Sequence, residues 1–239
     1  MSAARFGRRR IYLMRHGHVD YFSDAVLRAK DHTIAQLTAQ GRAQAEAAGL
    51  ALAETAFDVA LSSGYPRTRE TAEIVLAQSK MLVPALGEDS ALVEIKGGTL
   101  RFASRADAAT AMQAQFQRAG EPGAQMFGGE SFAEAQARAV AAIEAMLVGP
   151  LWRTALIVAH EGINRTVLSW ASGAGLAAAA AFEQDTACVN VLDFDIEPDD
   201  QGAPRIARRI VKLVNATPYN WLKHGMSRTS LEAIFAADD

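Results

Sequence analysis

Ile11-Tyr12-Leu13-Met14 is a short apolar run of strand-forming residues, broken at once by Arg15-His16-Gly17, and it predicts a buried strand that opens into a loop. From Tyr21 to Gln36 the pattern has no clear period, which predicts a loop holding a short helix. Thr38 then stands as an N-cap before an alanine-rich helix running from Arg42 to Ala53. Asp58 to Ser63 reads as a second strand ending in hydroxyl residues and a glycine, and Pro66 opens a helix over Arg67 to Gln78. Between Val83 and Glu130 the pattern is less regular. It contains a predicted helix from Ala106 to Arg118 and a glycine-rich link from Gly120 to Gly129, and we read it as a cap over the crevice. Ser131 and Glu134 have capping-box spacing at the start of a long helix to Leu147, which Gly149-Pro150 stops.

Thr154 to Ala159 is continuously apolar, then gives way to His160-Glu161-Gly162 and a helix through Ala171. The opening geometry recurs there: a buried strand, a histidine, a glycine turn. Val189 to Phe194 and Ile206 to Val214 are two more predicted strands, joined by a hairpin from Glu197 to Pro204. The mixed tail from Thr217 onward is expected on the surface. Strand and helix alternate, so the predicted fold is α/β: a three-layer α/β/α sandwich with a mostly parallel central sheet. The expected organisation is a single domain over residues 1–239 with a helical cap insertion at about 84–129.

Composition narrows the partners. The chain has 239 residues, half of them hydrophobic, enough for a full core. Twenty-four basic against 27 acidic side chains leave a net charge of -3, with no electrostatic footprint for nucleic acid or an anionic membrane. Arg8, Arg9 and Arg10 read as a solvated N-terminal tail. The apolar run behind them is too short for a signal-peptide core or a membrane span, so a cytoplasmic location is the default expectation. The single cysteine, Cys188, lies in an apolar run and reads as a small core residue rather than a nucleophile. Ligands of open α/β sheets bind beyond the carboxyl ends of strands, which places Arg15 and His16 at the mouth of a crevice. Arg67 is expected at a helix N-terminus, where free N–H groups already favour an anion.

Arg15-His16-Gly17, Ser62-Ser63-x-x-x-Arg67-x-x-x-Thr71-Ala72, Leu92-x-Glu94, Gly129-Glu130-Ser131-Phe132 and the late His160 follow one another in an order and spacing that resemble the histidine phosphatase superfamily. That group includes the cofactor-dependent phosphoglycerate mutases, and the resemblance spans roughly Ile11 to Phe194. It implies a metal-independent phosphomonoesterase acting on a small phosphorylated metabolite, with no cofactor and no metal ligands. By resemblance, His16 is the nucleophile that becomes a phosphohistidine, while Arg15, Arg67 and His160 hold the phosphate oxygens. Guanidinium forks suit that task. Glu94 is the position the resemblance marks as acid and then base. A homodimer is compatible with this reading.

Departures from the pattern bear on the substrate. Val19 stands where the family often has a hydroxyl residue, so one side of the phosphate pocket is expected to lack it. Glu161 stands where glycine is usual and competes with Glu94 as the acid, and Asn164 takes a normally apolar place. Glu94-Ile95-Lys96-Gly97-Gly98 replaces the mutase pattern Glu-Arg-x-Tyr-Gly, which favours a phosphatase over phosphoglycerate-mutase-type transfer. Lys96, Arg101 and Arg105 are the candidates for a second acidic group, and Tyr21, Phe22, Phe102 and Phe127 for an apolar recess. Two other classes compete: a metal-dependent hydrolase prompted by His16-x-His18-x-Asp20, and a catalytically inactive phosphate-binding module on the same fold.

Overall fold

A computed structural model describes residues 6–98 and 104–235. Its centre is strand β1 (Gly7–Arg15), flanked in a six-stranded sheet by β4 (Thr154–Ala159) on one side and β5 (Val189–Pro198) on the other. Beyond β4 come β2 (Val59–Ser62) and the edge strand β3 (Leu86–Glu88); beyond β5 comes β6 (Pro204–Ala216). The pairs β1–β4, β4–β2 and β2–β3 are parallel, whereas β1–β5 and β5–β6 are antiparallel.

Alternation along the strands sorts side chains into two cores. Ile11 and Leu13 of β1, Ala155 and Ile157 of β4, and Leu192 and Phe194 of β5 face helices α5 (Phe132–Val148) and α6 (Glu161–Ser172). Met14, Leu156, Val158 and Ala60 point the other way, onto α2 (Ala39–Ala51) and α3 (Pro66–Ala77). Both faces of the parallel part are therefore covered, which explains why its strands read as unbroken apolar runs. The result is the expected three-layer α/β/α sandwich. Among the described residues no helix is long and apolar enough to cross a membrane.

Local signals place the helix starts. Thr38 Oγ1 accepts from Gly41 N, and Ser131 with Glu134 forms a complete capping box. Gly17 and Gly41 are needed for a different reason: a Cβ on Gly17 would collide with the Gly41 carbonyl, and one on Gly41 with the His18 carbonyl. The loop after β1 thus lies directly on the first turn of α2.

Three expectations need correction. Arg8 to Arg10 belong to β1 rather than to a solvated tail. Arg8 and Arg10 stand opposite Asp195 and Asp193 across the antiparallel pair and form ion pairs with them at 2.8 and 2.7 Å. Arg9 is 2 % exposed; it donates to the carbonyls of Met146, Gly149 and Pro150 at the end of α5 and lies over the Trp152 ring. Such long-range partners do not show in a local charge pattern. Second, the stretch from residue 84 begins with β3 in the sheet, and only from Ser90–Leu92 onward, with α4 (Arg105–Gln117), does it leave the sheet. Third, the C-terminal stretch does not simply coat the surface. Helix α7 (Ser230–Phe235) buries Ser230 and Leu231 and packs on α4. The short helix expected between Tyr21 and Gln36 is α1 (Asp24–Ala29).

Candidate active site

Three parallel strands deliver the candidate residues to one edge of the sheet. The β1–β4 register pairs Arg15 with Ala159, so His16 and His160 leave the sheet side by side. The β4–β2 register pairs Val158 with Ser62, so Ser63 follows on the same edge. His16 N donates to the Ala159 carbonyl and Ser63 N to that of Val158, which continues the ladder one residue past each strand. The two imidazoles end 5.3 Å apart, centre to centre.

Hydrogen bonds fix the tautomer of each imidazole. His16 Nδ1 is 2.7 Å from the Gly17 carbonyl, an acceptor only, so Nδ1 carries the proton and Nε2 keeps its lone pair. That Nε2 faces Arg67 Nε at 3.3 Å and the Tyr21 hydroxyl at 3.4 Å. In His160, Nδ1 accepts from Arg67 at 3.4 Å, so Nε2 donates to Ser63 Oγ at 2.7 Å. The chain continues from Ser63 Oγ to Thr68 Oγ1 and on to the Tyr65 carbonyl. Arg67, 1 % exposed, is anchored from behind by the His32 and Thr33 carbonyls, each 3.2 Å from Nη1, and is flanked by the rings of Tyr65 and Tyr21.

Arg15 is equally buried. One of its terminal nitrogens donates to the Gln184 carbonyl and lies 3.0 Å from Glu161 Oε2, while its Nε is buried without any partner. An unsatisfied guanidinium N–H beside two neutral imidazoles is the arrangement an oxyanion would satisfy.

Burial first, then the charges of Arg67 and Arg15, hold the His16 imidazole well below the usual histidine range. For His160 the causes are burial, then Arg67. Both rings are neutral in the free protein. The stability consequence has a definite sign. As pH falls through about 6.5 the unfolded chain binds protons at these histidines and the folded chain does not, so folding stability drops on the acid side of about 6.5. Between about pH 7.5 and about pH 5.5, each histidine is expected to remove roughly 1 kcal/mol. Denaturant unfolding at the two pH values checks this: His16→Ala should lose less stability over that interval than wild type, and an unchanged loss would contradict the assignment.

Glu94 and Glu161, the two competing carboxylates, have different surroundings. Glu94 Oε1 accepts from the backbone N–H groups of Ile95 and Ile163, and Oε2 accepts only from Gly162 N, at 3.0 Å. Oε2 thus retains acceptor capacity. The approach depends on Gly162, because a Cβ there would lie 2.6 Å from Glu94 Oε1. Glu161 has neither oxygen free. Oε2 pairs with Arg15, and Oε1 takes Arg165 at 2.7 Å and Ser230 Oγ at 2.9 Å.

The structure brings all five sequence-selected residues, Arg15, His16, Arg67, Glu94 and His160, to this edge; all but His160 line one cavity of about 520 Å³, which Tyr21, Phe22 and Phe127 also line. Sequence reasoning missed Ser63 as the partner of His160, and it placed Tyr21 in the cavity lining without foreseeing that its hydroxyl reaches His16. Val19 is buried against Leu37, and the loop's hydroxyl next to His16 is that of Tyr21, 3.4 Å from Nε2. Lys96 is exposed and lies outside the cavity lining. Arg101 and Phe102 lie outside the described residues. Asn164 is fully buried with neither side-chain polar atom partnered, which nothing in the structure explains. Cys188 is buried in the core, and burial pushes its thiol up to about 12. His18 of the H-x-H-x-D string turns its Nδ1 to the Thr38 hydroxyl at 2.9 Å, and among the described residues no three His, Cys, Asp or Glu side chains cluster as metal ligands.

The chain belongs to the histidine phosphatase superfamily (branch 1), whose family model matches residues 11–200. Among curated proteins it is similar to the probable 2-carboxy-D-arabinitol-1-phosphatase of Arabidopsis thaliana, 27 % identical over 92 % of this chain and 44 % of that protein. It is also similar to the 2-carboxy-D-arabinitol-1-phosphatase of Triticum aestivum, 28 % identical over 80 % of this chain and 38 % of that one. The chain therefore spans less than half the length of these relatives. A mycobacterial glucosyl-3-phosphoglycerate phosphatase shares the fold, with a TM-score of 0.65 and 22 % identity over 87 % of this chain and 99 % of that one.

Proposed function

We propose that this protein is a metal-independent phosphomonoesterase that hydrolyses a small phosphate ester through a phosphohistidine on His16. The observation that carries this reading is the unprotonated Nε2 of a buried His16, turned toward the buried Arg67 guanidinium and the Tyr21 hydroxyl in a cavity that Arg15 also lines. Family membership and the phosphatase names of the relatives support it.

In this reading His16 Nε2 attacks phosphorus in line with the leaving oxygen. The P–N bond forms as the bond to the alcohol oxygen breaks, and Arg15 and Arg67 stabilise the charge on the other phosphoryl oxygens, with His160, held by Ser63, orienting Arg67 through Nδ1. Glu94 gives its proton to the departing alkoxide through Oε2. Water then attacks the phosphohistidine, returns a proton to Glu94 and releases inorganic phosphate, restoring the imidazole. Glu161 acts only through Arg15, which it positions. A cytoplasmic location belongs to the same reading, supported by the single reduced and buried cysteine.

The role of Glu94 is tested by leaving-group dependence. Glu94→Gln should lower kcat on an alkyl phosphate by about 10²- to 10⁴-fold. The loss should be much smaller on an aryl phosphate, whose phenolate leaves without a proton. Equal losses on both esters would assign Glu94 a structural role instead. Assays in excess chelator should give undiminished rates, and loss of turnover restored by a divalent metal would overturn metal independence.

A further inference from the structure

Beyond the phosphate end, the cavity changes character. Its far walls come from four separate parts of the chain. Phe22 lies in the loop after β1, Met112 on α4, Met126 and Phe127 precede α5, and Ile234 and Phe235 are on α7. Phe22 and Phe235 meet edge to face at 5.8 Å, which joins the loop after β1 to α7 in the cavity wall. Helix α7 is held in place by Ser230, whose hydroxyl donates to Glu161 and whose N–H donates to Glu183.

Among the described lining residues, charge is confined to one end. The only guanidinium or ammonium groups among them are Arg15 and Arg67, both at the phosphate end, and the two carboxylates are Glu94 and Glu161. A carboxylated alcohol would meet those carboxylates with no further cation among the described lining residues to pair it, and a polyhydroxylated one would leave water for described walls with few hydrogen-bonding groups. An apolar alcohol loses nothing on entry, and each buried methylene raises affinity roughly fourfold. A cavity of about 520 Å³ falls in the range that encloses most of a small organic ligand.

We propose that this cavity selects phosphate monoesters of an apolar alcohol, aromatic or branched aliphatic, with α7 forming one wall of the alcohol site. This rests on the phosphomonoesterase reading above.

The test is kcat/KM across n-alkyl phosphates of increasing length, an aryl phosphate, and two acidic or polyhydroxylated esters, 3-phosphoglycerate and glucose 6-phosphate. Wild type should gain roughly fourfold per methylene until the cavity is filled, and should favour the longest fitting ester over 3-phosphoglycerate by at least about 100-fold. Ile234→Asp and Met112→Asp, on two different helices, should each reduce the long-to-short ratio by at least about tenfold, a ratio that partial unfolding does not alter. A flat series, or a preference for 3-phosphoglycerate that Arg101→Ala removes, would overturn the proposal while leaving the phosphatase reading intact. Absence of turnover on every ester would refute that reading instead. Binding of the matching alkylphosphonates by calorimetry then decides the selectivity alone: affinity rising with chain length supports it and a flat series overturns it.

Discussion

His16→Ala is expected to abolish phosphate release, with a loss of about 10⁴-fold or more in kcat, the scale seen when a covalent nucleophile is removed from a preorganised site. The size follows from the geometry. Arg15 and Arg67 would still bind a phosphate, but water would have to replace Nε2 in line with the leaving oxygen, without the ring that the Gly17 carbonyl holds in orientation. KM should therefore change much less than kcat. A variant retaining more than about a tenth of wild-type kcat would show that His16 only binds. The fold should survive, because the shortened side chain faces the cavity and the backbone bond from His16 N to Ala159 is kept.

Glu161→Ala should have the largest effect on stability, a loss of about 3–5 kcal/mol. Glu161 pairs with two guanidiniums that are themselves buried, Arg15 and Arg165, with side-chain exposures of 3 % and 4 %. Removing the carboxylate leaves two nearly buried charges with fewer partners. Arg165 keeps the Ala179 carbonyl and the partly exposed Glu183, whereas Arg15 keeps only the Gln184 carbonyl. Arg15 should then shift, and phosphate affinity should fall along with stability. Ser230 also loses its acceptor, which loosens α7. Denaturant unfolding and inhibition by inorganic phosphate are the two readouts; Glu161→Gln, which retains an acceptor for Ser230, should fall between wild type and alanine. A stability change under about 1 kcal/mol would mean the three-way pairing contributes little.

The particular elements show what a sequence can reveal of such a site. The parallel strands β1, β2 and β4 were legible because burial on both faces makes each an apolar run, and the helix starts because Thr38, Pro66 and Ser131 are local signals. Arg15, His16, Arg67 and His160 were legible because each lies within a few residues of such a strand end or helix start. What depends on distant segments was not. Arg9 finds its carbonyls some 140 residues later, and Glu161 meets Ser230 across 69 residues. Helix α7 has only six residues, and its capping box, in which Thr229 Oγ1 accepts from Glu232 N and Glu232 Oε2 accepts from Thr229 N, went unread in the mixed tail; the helix lines the cavity because it packs on α4. Tyr21 was read as apolar lining because an aromatic residue in an aperiodic loop does not reveal where its hydroxyl points.

The central claim is that phosphate passes through His16 Nε2. Its most direct test is to mix the enzyme with an aryl phosphate labelled in its phosphoryl group, in excess chelator, quench within the first turnovers and map the modified residue by mass spectrometry. The account predicts an acid-labile phosphoryl group on His16, formed at the rate of the product burst and absent from His16→Ala. Label on Ser63, Cys188 or any other residue, or turnover with no phosphoenzyme at any time point, would contradict it.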